Sequence, residues 1–494
     1  MSRLASRITT AVAAMLCAAA GGAFALEAGQ VNSAAVPGAE YGAAGFYWRP
    51  VQADSALGVA ALAAGAPAGE AGLRGGDKVV VLNGKPVAEW DAEELKEALA
   101  GGGPLAMGVV RGEGQDLQVD VAGGKYLPPA VLFSKALDGG VGYVRLDHML
   151  EGSAAQLGQA LDGLRDGGAT AILLDLRGNS SGSIDEAIAV ADLLLAAGKV
   201  LASTGRETAK REYRSQSDDL TGGAALAVLV DGNTAGAAEI VAGAVQDWDR
   251  GLLVGETTAG RSSEQTRVDV GGAISLRLTT AAYSLPSGRY IDRRRRADSS
   301  LVEQEVEDFK TLGRGRQVQS HSGLEPDILV ESPASTALFE QLQGAGDGGD
   351  RFFAYARVEG PLESYGDPAV EGFRSYATEA GFAYESSLER RLEQLKERAT
   401  DQEKDRLADA VSRLEKDVDK VEQRHWREAI PLLRRHLAFV DQAMHHGLGQ
   451  ALGHALEEDV QVRQGLRVLR EKGAYEAAFA KERVGEAVAD GDED

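Results

Sequence analysis

Two stretches decide how this chain is read: DLRGNSSGSIDEA at 175–187 and DGNTAGAAEIVAGAVQD at 231–247. Each follows an apolar run of strand length, 171–176 before the first and 225–230 before the second. Each continues into a helical pattern, 184–197 and 237–248. A further short apolar run at 252–254 opens another strand. Strands that alternate with helices predict an α/β layer whose active groups gather at strand ends. The corners between them are rich in Gly, Ser, Asn and Asp, the residues that turns require.

Outward from these corners, the chain has 494 residues, which suggests two to four domains rather than a single small module. With 52 Lys+Arg against 75 Asp+Glu the net charge is −23, which opposes a non-specific grip on phosphate backbones or anionic lipid. Nucleic acid is therefore not an expected partner. Residues 1–25 read as a cleavable signal peptide: Arg3 and Arg7 precede the apolar run 8–23, and Ala23-Phe24-Ala25 supplies the small-x-small cleavage pattern. The mature chain is expected to start at Leu26 and to be periplasmic or secreted. The single cysteine, Cys17, lies inside the signal, so no disulfide, thiol chemistry or Cys-containing metal site is expected afterwards. No later stretch reaches the ~18 to 20 apolar residues of a membrane span.

Three blocks follow. In the first, residues 40–122, glycine-rich turns separate short apolar runs; Asn83-Gly84 is a hairpin signal, and Asp91 opens a helix with Leu95 and Leu99 on one face. The run AGEAGLRGGDKVVVLNGKPV resembles a PDZ domain. That resemblance implies capture of a peptide's terminal carboxylate by the loop Tyr41-Gly-Ala-Ala-Gly45-Phe46 and addition of the peptide as an extra strand, with Gly45, Phe46, Leu95 and Leu99 as peptide-binding residues. The plainer alternative is that these glycines only make turns.

The second block, 124–335, carries the two corners and then LLVGETTAGRSSEQ, LTTAAYSLPSGR and GLEPDI in order. This series resembles the C-terminal-processing, or tail-specific, serine peptidases, a family that carries a PDZ domain just upstream. The implied fold is multidomain α/β: a PDZ domain, a ClpP/crotonase-like peptidase core and a C-terminal α-helical domain. The family's nucleophile is the central serine of a Ser-Ala-Ser-Ala-Ser-Glu run. Its base is a lysine 25 positions later, oriented by a glutamine one helical turn beyond. On this sequence the three positions hold Gly236, Arg261 and Gln265. Glycine has no hydroxyl to acylate, and a guanidinium stays protonated with no acceptor lone pair. No catalytic set is intact, and family-type hydrolysis is not expected. Backbone N–H groups at Ser181, Gly182 and Ala237 are the implied oxyanion-hole candidates. Ser180, Ser183, Ser262 and Ser263 read as turn residues, Thr234 as a helix cap, and His148 as structural. The run Arg293 to Arg296 reads as a solvated face or an acidic docking site.

The third block, 350–485, is helical and charged. Leu388, Leu392 and Leu395, then Leu407, Val411, Leu414, Val418 and Val421, recur at helix-packing spacing, and Pro431 is expected to start or kink the next helix. An antiparallel bundle is expected, with an acidic tail at 486–494. His445, His446 and His454 lack an organised carboxylate motif, so no metal and no cofactor is expected. The functional expectation is an exported pseudo-peptidase that binds polypeptide C-termini or unfolded protein as adaptor, scaffold or inhibitor. Oligomerisation or docking would go through the C-terminal helices. The alternative left open is a working serine endopeptidase with a non-standard catalytic arrangement.

Overall fold

The computed structural model describes residues 40–51, 56–112, 114–124, 126–205, 211–216, 219–261, 263–271, 274–292, 307–320, 323–344, 350–398, 401–471 and 473–480. The expected signal peptide, the arginine run and the acidic tail lie outside them. The chain is mixed α/β and divides into two units, each built from separated pieces of sequence: 40–128 with 332–459, and 129–331 with 460–480.

The first piece supplies strands β1 (Glu40–Gly42), β2 (Phe46–Val51), β3 (Ala56–Leu62) and β4 (Lys78–Leu82), helix α1 (Ala92–Ala100), and strands β5 (Leu105–Arg111) and β6 (Gln115–Val121). They form an antiparallel sheet in the order β1-β2-β3-β4-β5-β6. The Asn83-Gly84 turn has positive φ at both residues, 52° and 79°, the geometry that lets β4 fold back on itself. Asp91 caps α1 by accepting from the Glu93 amide at 2.9 Å, and the helix buries Leu95 and Leu99 against Phe46, Val79 and Met107.

The second unit begins with β7 (Val131–Leu137), β8 (Val141–Leu146), α2 (Ser153–Asp166), β9 (Ala171–Asp175), α3 (Ile184–Leu194), β10 (Ala225–Val230), α4 (Ala237–Asp247) and β11 (Leu252–Gly255). The sheet order is β7-β8-β9-β10-β11, followed by the short strand Ile328–Leu329; every pair is parallel except β7 with β8. β9 and β10 are near-continuous apolar runs because helices and further chain cover both faces. Their pairing, Leu173 opposite Ala227 and Asp175 opposite Leu229, ends both strands side by side. The two glycine-rich corners therefore leave the sheet at adjacent points. This juxtaposition builds the site.

The C-terminal helices are α5 (Ala337–Leu342), α6 (Arg351–Glu359), α7 (Asp367–Glu379), α8 (Ser387–Arg398), α9 (Asp401–His445), α10 (Leu448–Ala455), α11 (Val460–Arg470) and α12 (Ala474–Ala480). The bundle expected over 350–485 is divided: α5 to α10 join the first unit, while α11 and α12 join the second. An amphipathic pattern says that a face is buried but not against which partner. For α11 the partner is the parallel sheet, where a β-carbon on Gly465 would lie 2.7 Å from Leu173 Cδ1. Gln461, from the same helix, accepts from Arg177 Nη1 at 2.9 Å and donates to the Val330 carbonyl at 2.9 Å. Pro431 sits inside the continuous helix α9 rather than starting a new one. Of the leucine stripe, Leu392 is buried, whereas Leu388, Leu395, Leu407 and Leu414 are exposed. An aromatic cluster holds the α5, α6, α7 and α9 contacts. Phe352 stacks on Phe373 at 4.4 Å, and the His436 ring stands edge-on to Phe352 at 4.6 Å and Phe339 at 5.0 Å. Beside this cluster the buried Arg49–Asp350 ion pair ties β2 to the start of α6.

Candidate functional site

β10 ends at Val230, the chain turns through 231–235, and α4 begins at Ala237. Gly236 is the residue between turn and helix, with φ 60° and ψ −114°. A sharp strand–turn–helix corner of this kind is how hydrolases raise a nucleophile above a sheet. L-residues adopt it only with strain; glycine adopts it freely. A β-carbon built on Gly236 would find a single atom within 4 Å, the Arg261 carbonyl oxygen at 3.9 Å. The corner has room for a side chain and carries none.

Three side chains hold this corner. Thr234 is fully buried: its hydroxyl donates within reach of the Leu176 carbonyl (3.1 Å) and Asp231 Oδ1 (2.9 Å), and accepts from the Asp231 amide (3.0 Å). Asp231 Oδ1 also accepts from the Gly178 amide at 2.9 Å, fastening the two corners together. Glu239, also fully buried, gathers four donors. Oε1 accepts from the Thr258 hydroxyl and the Gly260 amide (2.8 Å), and Oε2 from the amides of Gly236 (3.0 Å) and Arg261 (2.8 Å). Burial raises its pKa despite these donors, each of which favours the charged form. Glu239 thus pins the 258–261 loop to the start of α4.

The first corner is anchored from below. Asp175, at the end of β9, accepts from Tyr143 Oη (2.7 Å), from Arg177 Nη2 (2.6 Å) and from the Arg177 amide (3.0 Å). Burial alone would raise this carboxyl, but the Arg177 and Arg145 guanidiniums outweigh it and hold the group well below the usual range. Asn179 then donates Nδ2–H to the Leu146 carbonyl and accepts the Ala235 amide on its own carbonyl, both at 2.9 Å.

Residues 140–301 match the family model described as Peptidase family S41. This segment belongs to peptidase family S41. The chain is 32% identical over 232 residues to a carboxy-terminal-processing protease of Bartonella bacilliformis, covering 46% of this chain and 53% of that protein. It is 27% identical over 250 residues to the carboxy-terminal processing protease CtpA of Bacillus subtilis, covering 50% and 53%. The chain thus spans about half the length of these relatives. A solved photosystem II D1 C-terminal processing protease aligns over 59% of this chain and 72% of its own, at 23% identity with a TM-score of 0.35.

Within the S41 segment the expected oxyanion-hole residues meet. A β-carbon on Gly182 would lie 3.0 Å from Ala237 Cβ, so these backbones are adjacent. The Ala237 amide is among the first of α4, which have no acceptor inside the helix. Ser181 turns its carbonyl to the Met149 amide at 2.8 Å, which fixes the loop. Arg261 lies exposed in the loop that Glu239 holds. Gln265 falls on strand Ser263–Gly271, opposite Thr279, so its four-residue spacing from Arg261 is not a helical turn; its side chain lies outside the described residues. Thr234 is not the cap of α4, which is Gly236; its hydroxyl is spent inside the turn. Ser183 caps α3, accepting the Glu186 amide at 3.1 Å, and Ser180 is exposed. Ser262 lies outside the described residues. Ser263 opens that strand. His148 is buried with Nδ1 3.4 Å from Ser153 Oγ, but that hydroxyl donates to the Leu150 carbonyl at 2.6 Å. This pair is not an open nucleophile.

The loop expected to receive a peptide terminus is closed. β1 lies antiparallel on the free edge of β2, pairing Gly42 with Phe46 and Glu40 with Trp48. The Ala43 amide donates to the Leu99 carbonyl at 2.8 Å and the Gly45 amide to Gly42 at 2.9 Å. Phe46, Leu95 and Leu99 all face the core. The chain's own segment thus holds the Phe46–Trp48 part of the edge that a peptide strand would need, and the Ala43 and Gly45 amides of the loop are already bonded.

Glu239 and Asp231 escaped the sequence reading as site residues. The signal was present for Glu239, an acid three residues after a helix cap, but its partners from the 258–261 loop were not visible. No group of three or more His, Cys, Asp or Glu is placed to hold a metal among the described residues. His445 sits 3.0 Å from the Ala356 carbonyl, and His454 packs on Tyr365 at 5.3 Å.

Proposed function

We propose that this chain is an exported, non-hydrolysing relative of the C-terminal-processing peptidases that holds polypeptide C-termini or unfolded protein as adaptor, scaffold or inhibitor. The observation that carries this reading is Gly236. The elbow keeps its backbone form and its open space, yet offers no hydroxyl. Arg261, at the position of the family's base, cannot accept a proton. The adjacent amides of Gly182 and Ala237 support binding of a substrate carbonyl or a terminal carboxylate without bond cleavage. The sheet over 40–121 supports the PDZ-like reading, although a peptide would have to displace β1 to add to β2. The exposed Leu388, Leu395, Leu407 and Leu414 support docking or self-association through α8 and α9.

The test treats the purified chain with a fluorophosphonate probe and an unfolded casein substrate. No adduct and no cleavage are expected from the native chain, while Gly236→Ser combined with Arg261→Lys should gain probe labelling. A covalent adduct on the native chain would overturn the proposal in favour of a working endopeptidase with another nucleophile. Pulldown with C-terminally free and amidated peptides tests the binding half, with retention of the free form expected.

A further inference from the structure

The helical part of the first unit contains a cavity of about 320 Å³ that shares no lining residue with the S41 corner. That volume lies at the lower end of the about 300 to 1,000 Å³ that small-molecule sites occupy. On α9, Arg434 and Ala438 are one turn apart, as are Arg435 and Phe439. All four line the cavity, as do Tyr365, His454 and Glu458.

The charges in this cavity are unevenly matched. Arg434 places one guanidinium nitrogen on Asp367 at 2.5 Å, but its Nε is buried without an acceptor among the described residues. Arg435 has no acidic partner among the described residues, and its charge helps to depress the pKa of neighbouring His436 after burial has done most of the work. A half-matched and an unmatched guanidinium facing one cavity favour an acceptor from outside. Apart from Glu458 and His454, the rest of the wall is small, apolar or aromatic. Tyr365 turns its hydroxyl away to Asp441 at 2.6 Å, and Ala438 is small enough to leave room beneath the cations.

We propose that this cavity binds a small organic carboxylate, its oxygens taken by Arg434 and Arg435 and its apolar body lying over Ala438 and Phe439. Glu458 on the same wall selects for this class, because its negative charge opposes a dianionic phosphate more than a single carboxylate.

Isothermal titration calorimetry on the full chain tests this with benzoate, N-acetylphenylalanine and inorganic phosphate. Saturable one-to-one binding of a carboxylate is expected, weakened at least tenfold by Arg435→Gln and abolished by Ala438→Leu, which fills the cavity and keeps both cations. Tighter binding of N-acetylphenylalanine than benzoate would support peptide ends as the source, and the reverse order free acids. If Arg435→Gln fails to fold, Ala438→Leu still decides. No saturable heat with either carboxylate, binding indifferent to Ala438→Leu, or phosphate binding as tightly as benzoate overturns the inference. None of these results depends on activity or labelling at Gly236, so the two proposals fail separately.

Discussion

The elbow at 231–239 and the loop at 41–46 depart from their family resemblance in opposite ways. At the elbow the backbone turns sharply and Gly236 carries no side chain. In the loop the glycines are present, but the geometry is spent on the chain itself. Backbone form and surface chemistry are encoded by different residues here. Thr234, Asp231 and Glu239 hold the elbow without a serine, and Gly45 makes a tight turn whose amide bonds back to Gly42. A glycine motif read in sequence thus reports a turn, and only its hydrogen-bond partners say whether the turn is available.

Acid should separate the two units most widely. Burial, aided by Arg49 and Arg435, pushes His436 down to about 3. The unfolded chain takes up this proton near the ordinary value of about 6.5, while the folded unit resists it. Stability of the 40–128/332–459 unit therefore falls as pH drops from about 6.5 toward 3, by up to about 1.4 kcal/mol per pH unit. The depressed Asp175 in the other unit favours its charged form when folded, so its contribution is retained until pH falls below about 4. Denaturant melts at pH 7 and 4.5 should show a loss of about 2.5 kcal/mol confined to the first unit and removed by His436→Leu. Equal losses in both units would erase this contrast.

At least as large is Glu239→Leu, which leaves three amides and the Thr258 hydroxyl without their acceptor and should cost roughly 3 kcal/mol, read from the denaturation midpoint. Gly45→Ala tests the closed loop. Its φ is 85° and the new β-carbon would meet Ala66 Cβ at 2.4 Å, so about 2 to 3 kcal/mol should be lost. The smallest effect belongs to Gly236→Ser, at about 1 to 2 kcal/mol from the φ of 60° alone, since the space around it is open. A Gly236→Ser loss as large as that of Gly45→Ala would mean the elbow is not free for a side chain.

Much of the α/β layer was legible because 171–176 and 225–230 are too apolar for an exposed strand and lead into capped helical runs. The meeting of Gly182 and Ala237 follows once β9 and β10 are adjacent and parallel. What was not legible depends on distant partners. β1 has three residues and no pattern of its own, so its place on β2 is set by register across the turn. The acceptor role of Glu239 needs amides up to 22 positions away. The exposed leucines of α8 and α9 show the same limit, since spacing marks a helix face without naming its cover.

Helix α11 carries a consequence for synthesis. All but the short last strand of the sheet is laid down by residues 131–255, yet the helix that covers Leu173 and Leu229 emerges only after about another two hundred residues of chain have been made. The sheet must therefore wait, partly bare, for its last helix. A translation pause or truncation before residue 460 would strand an aggregation-prone intermediate in which an apolar layer is complete in sequence and uncovered in space.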